Sequence, residues 1–307
     1  MFNSLLIVAR DRRENERGVA VSEKIVVSVI GAAGKMGTRV TNNLAKHPGI
    51  IELNFCETSE AGIASIQSRG FKTIPPETAV PKSEIIVLAV PDVIIKAVSV
   101  GIVKMMSPGS TLIILDPAAA VAKELALRDD CTFVVTHPCH PSYFIDQDSY
   151  EARNDHFGGV AGKQDIVMAK IQGDDKNFAN ARTVSELMFA PVANSFVMGI
   201  RDIAFLEPTL VEILGASTLY AMAETVNEAE RRGIQREAAV SFLTGHINIL
   251  SAVFLGKMGN VQVSDACKVA IELGNRLVLR DDWKRIWDDD VLDKAIATML
   301  HPADPKI

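Results

Sequence analysis

The sequence predicts an α/β fold, a parallel-sheet domain followed by an all-helical one, and three observations predict it. A β-branched run, IVVSVI, leads directly into GAAGKMG and then into the helical stretch TRVTNNLAKH. Apolar runs of strand length then alternate with helical segments across short Pro/Gly turns as far as Pro141, the rhythm of a sheet covered on both faces. Beyond about residue 198 the alternation stops and only long helical periodicity remains.

Taken in order, IVVSVI is the first strand and IIELNFCE the second; PPETAV and PKSE read as turns, and EIIVLAVPD is the third strand. VIIKAVSVGIVKMM reads as a helix, SPGS as a turn, TLIILDPAA as a strand, AVAKELALR as a helix and CTFVVTHP as a strand. Beyond Pro141, QDIVMAKIQG and APVANSFVMG predict two further strands around a helix from about Lys176 to Phe189. LEPTLVEILGASTLYAMAETVNEAERRGI, REAAVSFLTGHINILSAVFLG and SDACKVAIELGNRLVLR predict the helical half. The expected domains are therefore residues 24–198 and 199–307. Residues 1–23, a short apolar piece followed by an Arg/Glu-rich one, do not resemble a secretory signal and are expected to be a disordered leader or an upstream-start artefact.

With 307 residues, 48% hydrophobic and 23% charged, the chain can bury two cores. Its net charge of −6 is spread along the chain without a block of Lys and Arg, which argues against nucleic acid or an anionic membrane surface as partner. No uninterrupted apolar run approaches the roughly 18 residues of a membrane span. Cys56, Cys131, Cys139 and Cys267 show no CxxC spacing and read as reduced thilos of a cytoplasmic protein.

Gly31, Gly34 and Gly37 form GxxGxxG between strand and helix, the pattern of a Rossmann-type dinucleotide site. Such a loop needs a tight turn and a backbone that can approach a pyrophosphate. Its amides, across Ala32, Ala33, Lys35 and Met36, then hold the phosphates at the helix start. Glu57, twenty residues past Gly37, ends the second strand, where a carboxylate binds ribose hydroxyls and repels a 2′-phosphate. No Arg adjoins it in CETSE, so NAD is expected rather than NADP; the plainer alternative is a solvated loop acid. Val90, Pro91 and Asp92 end the next strand where cofactor backbone contacts are expected, with Asp92 also suited to cap the following helix.

Asp116 in LDPAAA and His137 and His140 in THPCHP fall at the far ends of the last strands. The histidines suit a general base, a pair of metal ligands or anchors for a substrate carboxylate; the plain alternative is a rigid proline loop. Cys139 between them reads as packing. Glu207 begins a predicted helix at FLEP, with Pro208 in its first turn, and is a candidate ligand for substrate or a divalent metal. Glu224 and Glu228, four apart on a helix, read as solvated. His246 and Asn248 in TGHIN are either an internal hydrogen-bonded pair or the lining of a cleft. Lys163 is a candidate contact for an anionic substrate.

VIGAAGKMG, the acid after strand two, VLAVPD and the helical C-terminal half resemble the superfamily of 6-phosphogluconate dehydrogenase and β-hydroxyacid dehydrogenases. HPCHP, FGGVAGKQDIV, FLEP and GHIN are similar to a bacterial group within it that includes D-apionate oxidoisomerase. The resemblance covers about residue 24 to the C-terminus. The catalytic lysine before paired asparagines of 6-phosphogluconate dehydrogenase has no match here. The resemblance implies an NAD-linked oxidation of a sugar acid, D-apionate, with rearrangement to 3-oxo-isoapionate. By analogy with ketol-acid reductoisomerases it assigns His137, His140 and Glu207 to substrate or a divalent metal, and His246 to a supporting role. A simple hydroxyacid dehydrogenase and a non-catalytic dinucleotide sensor are the alternatives. The long apolar helices imply a homodimer.

Overall fold

The computed structural model describes residues 24–303, so the expected leader over 1–23 lies outside the described residues. Two compact units result, one of residues 24–203 with 296–303 and one of residues 204–295. The division falls beyond the expected boundary at 198 because a helical run from Ile200 to Arg231 continues through it.

The first unit is built on β1 (Ile25–Ile30), β2 (Ile51–Cys56), β3 (Ile85–Leu88), β4 (Thr111–Ile114), β5 (Thr132–Pro138), β6 (Gln164–Gln172) and β7 (Val192–Val197). They form one sheet in the order β2-β1-β3-β4-β5-β6-β7. The first five strands are parallel, as the alternation predicts. β6 pairs antiparallel with β5, His137 lying opposite Val167, and β7 runs parallel to β6. Every residue of β3 and β4 is buried, which is why these strands read as unbroken apolar runs. Val27, Val29, Ile85, Val87, Ile113 and Val134 pack against Val40 and Leu44 of the first helix and Ala181, Val184 and Met188 of the helix Asp175–Met188.

Local chemistry shifts some predicted elements. PPETAV, read as a turn, starts a short helix, Pro76–Ala79, because a proline is tolerated in a first turn. The helix predicted at AVAKELALR is cut to Ala118–Val121, with Lys123 in the left-handed region at φ 58°. Pro91 occupies the cap position of the helix Asp92–Met105 and Asp92 is its first residue, so Asp92 favours the helix through its charge rather than as the cap.

The second unit is helical: Phe205–Ala216, Ser217–Arg231, Arg236–Phe254, Asp265–Val278 and a short turn at Trp283–Trp287. Glu207 does not begin a helix. It lies inside the run from Ile200, which widens to π geometry over Phe205–Ala216 around Pro208. A proline there removes a backbone donor and crowds the preceding turn, and the wider winding accommodates both. Phe205 stacks on Trp287 at 5.6 Å, and buried Thr209 donates to the carbonyl of Ile286. Arg236–Phe254 and Asp265–Val278 bury no residue; Phe242 is 71% exposed and Leu277 76%. Ile200–Arg231 and Arg236–Phe254 are long and apolar enough by length and composition to cross a membrane, although polar residues such as Glu207, Glu212, His246 and Asn248 interrupt them.

Candidate active site

In a parallel sheet the carboxyl ends of the strands share one edge, so Ile30, Leu88, Ile114 and Pro138 bring the predicted site segments together. The glycine loop turns at Gly31, whose φ of 78° an L side chain resists. A Cβ at Gly37 would stand 2.0 Å from the Gly31 carbonyl oxygen, so only glycine lets the helix Lys35–Leu44 close on the loop. A cleft of about 450 Å³ runs between this loop, Glu57, and the Val90–Pro91 strand end. Gly31, Gly34, Glu57, Val90 and Pro91 line it; Ala32 is fully buried beneath. Sequence reasoning missed its apolar wall, Ile94, Ala97, Gly101 and Met105 from the next helix, and Pro76 and Glu77 opposite. Only the helical spacing of Ile94, Ala97 and Gly101 signals one shared face.

The Glu57 carboxylate accepts from the amides of Thr58 at 2.9 Å, Ser59 at 3.1 Å and Ala33 at 3.3 Å, and from the Ser59 hydroxyl at 3.1 Å. Burial pushes its pKa up, but these donors outweigh burial and hold it below the usual glutamate value. It thus ties the glycine loop to the end of β2 while lining the cleft.

His137 is the penultimate residue of β5, not part of the loop after it. Its Nδ1–H donates to the carbonyl of Leu115 at 2.8 Å, and His140 Nδ1–H donates to the carbonyl of Phe157 at 2.8 Å. A carbonyl only accepts, so each bond places the neutral ring's lone pair on Nε2. The two rings stand 6.5 Å apart and perpendicular. Desolvation holds the His137 pKa below its ordinary value; the Leu115 bond and the charge of Asp116 oppose this, and His140 reinforces it. His140 adopts φ 59°, a left-handed conformation unusual for a side-chain-bearing residue, and such strain clusters at working sites. Asp116 accepts from the amide of Ala118 at 2.7 Å through one oxygen. The first unit therefore brings together Asp116, His137 and His140.

Cys139 is exposed, and burial of its sulfur atom still pushes the thiol up to about 11, followed by the charge of Asp165, so it is not a thiolate nucleophile at neutral pH. Lys163 pairs with Asp148 at 2.7 Å. In the second unit, Glu228 binds Arg231 and Arg232, in keeping with a solvated helix face. His246 is exposed, bonds the carbonyl of Phe242 one turn back at 2.7 Å and stacks on that ring at 4.2 Å, rather than forming an internal pair with Asn248.

Residues 145–300 match the family described as phosphogluconate dehydrogenase (decarboxylating) C-term. A D-apionate oxidoisomerase of Blautia hydrogenotrophica is 66% identical over 92% of this chain and 99% of its own. A D-apionate oxidoisomerase of Rhizobium rhizogenes is 39% identical over 86% of this chain and 95% of its own. Among solved structures, a semialdehyde dehydrogenase NAD-binding protein of Cupriavidus necator, in complex with calcium and NAD, superposes with a TM-score of 0.86 at 37% identity, covering 90% of this chain and all of that one. With its glycine loop, strand-end acid and helical second half, the chain belongs to the D-apionate oxidoisomerase family of the 6-phosphogluconate dehydrogenase superfamily and is an oxidoreductase.

Proposed function

We propose that this enzyme oxidises a secondary hydroxyl of D-apionate with NAD and rearranges the carbon skeleton to 3-oxo-isoapionate. The observation that carries the reading is the pair of imidazoles at the carboxyl end of β5, each with its tautomer set by a backbone carbonyl, with the charge of Asp116 acting on His137. The 66% identity to a D-apionate oxidoisomerase supports the substrate. In this reading the amides of residues 31–37 hold the NAD pyrophosphate, and Glu57 receives the adenosine ribose hydroxyls. His137, neutral at physiological pH, takes the hydroxyl proton on Nε2 as hydride leaves the carbon, and His140 orients the substrate oxygens.

Neutral imidazoles whose other nitrogen donates to a carbonyl, with a carboxylate beside them, fit a divalent cation. As the alternative to its role as base, His137 would spend its Nε2 lone pair on that cation, with His140 and Asp116 as further candidate ligands in the first unit; Glu207, in a π-wound segment of the second, is proposed for substrate or metal from its LEP motif. Such a cation would lower the pKa of the substrate hydroxyl. His246 is proposed as a supporting residue. The exposed apolar helices Arg236–Phe254 and Asp265–Val278 support a homodimer, a second copy covering them; the four free cysteines support the cytoplasm, and the dispersed net charge of −6 speaks against nucleic acid or an anionic membrane surface.

The experiment is absorbance at 340 nm with NAD and D-apionate, with and without Mg²⁺, followed by product identification. NADH with a rearranged product supports the proposal. An unrearranged ketone reduces the enzyme to a simple dehydrogenase, and silence with D-apionate but turnover of another acid discards the substrate.

A further inference from the structure

The segment between β5 and β6 contains a carboxylate that no step above uses. Asp155 follows the short helix Tyr150–Asn154, and its Oδ2 accepts from the amides of Val160 at 3.0 Å, Ala161 at 2.9 Å and Gly162 at 3.0 Å. Its Oδ1 accepts from the amide of Gly158 at 3.0 Å. Four donors converge on one side chain because Gly158 and Gly159, at φ 80° and 81°, curl the chain around it in the left-handed region.

The loop held in this way touches both halves of the site. Phe157, immediately before Gly158, supplies the carbonyl that receives His140 Nδ1–H, and its ring meets the imidazole at 4.8 Å. On the same ring lie the Arg39 guanidinium at 3.7 Å and Lys35 Nζ at 4.5 Å, both from the helix that follows the glycine loop. Arg39 also donates to the Gly158 carbonyl. The loop is therefore a spacer between the cofactor helix and His140, and its shape depends on one carboxylate.

We propose that Asp155 is a positioning residue for the oxidoreductase reaction: by gathering the amides of residues 158–162 it fixes the Phe157 carbonyl, and with it the tautomer and direction of His140. The proposal rests on the reading that His140 serves the reaction. An asparagine in place of Asp155 keeps the size but turns an amide NH₂ toward the N–H groups now bound by one of the two oxygens. A misplacement of about 1 Å at His140 is then enough to cost on the order of 100-fold in turnover.

The test combines kinetics with imidazole ¹⁵N NMR on Asp155→Asn, His140→Ala and the double variant. Expected for Asp155→Asn are kcat down roughly 10- to 100-fold, NAD affinity within about twofold, and loss of the single Nδ1–H signature of His140. In the His140→Ala background, Asp155→Asn should cost little further, since both act through one ring. Gly162→Ala is the milder second variant: its Cβ would meet the Asp155 carbonyl oxygen at 2.9 Å and Pro141 Cγ at 3.0 Å, loosening the loop with the carboxylate intact. It should shift the same NMR signal if Asp155→Asn fails to fold. An unchanged His140 signal in either folded variant, or equal costs of Asp155→Asn in both backgrounds, overturns the proposal. Wild-type turnover in His140→Ala instead overturns the site reading, and the NMR signal still judges Asp155.

Discussion

Gly37→Ala tests the close approach on which the cofactor loop depends. The added Cβ would lie 2.0 Å from the Gly31 oxygen and 2.9 Å from Ala32 Cα, against an ordinary contact of 3.4–4 Å. Both neighbours are backbone, so no side chain can swing aside, and the helix Lys35–Leu44 must retreat from the loop. Overpacking of this kind costs about 3 kcal/mol, the upper end of the usual range. For a domain of this size that corresponds to a loss of roughly 6–12 °C in Tm. The retreat also draws the helix-start amides from the pyrophosphate, weakening NAD at least about tenfold, or ~1.4 kcal/mol. The assay is thermal unfolding with and without NAD, together with an NAD titration, using Gly49→Ala as control because no heavy atom lies within 4 Å of its added Cβ. Wild-type Tm and NAD affinity in Gly37→Ala would refute the close-packing reasoning.

Glu57→Gln should weaken NAD about tenfold and narrow its preference over NADP, as one carboxylate leaves both the ribose and the Ala33 amide; comparing Kd for the two cofactors checks it. His137→Ala should lower kcat on the order of 10²- to 10⁴-fold with NAD affinity kept. Because desolvation lowers the His137 pKa, the base stays neutral as pH falls to its ordinary value of about 6.5, so the acid limb of kcat/KM should have its midpoint below that pH and vanish in His137→Ala. If His137, His140 and Asp116 hold a divalent cation, EDTA should abolish turnover and Mg²⁺ restore it, whereas full activity in EDTA removes the metal from the reading.

The glycine loop was legible because strand, GAAGKMG and helix each demand the next, and Glu57 followed at the spacing the fold requires. His137 was legible as the end of the strand CTFVVTHP and His140 as the residue just past it, though not that His140 sits at positive φ. The π winding at Glu207 stayed hidden because a Pro after an acid ordinarily marks a helix start, and here the turn before it continues the helix. The reversal of β6 was unreadable since apolar periodicity reports burial and has no direction. Asp155 gave no sign at all: its partners are amides, which every residue but proline carries alike.

That reversal of β6 has an evolutionary corollary. A parallel partner for β5 would have required its connection to travel back across a face of the sheet, spending residues on coverage. An antiparallel one begins where β5 ends, so residues 139–163 need not cross the sheet and remain at the edge where ligands gather. Substrate range should therefore drift in the part of this segment between Pro141 and Asp155, whose length can change without altering one strand pairing, while the turn that holds His140 and the sheet beneath it stay constant.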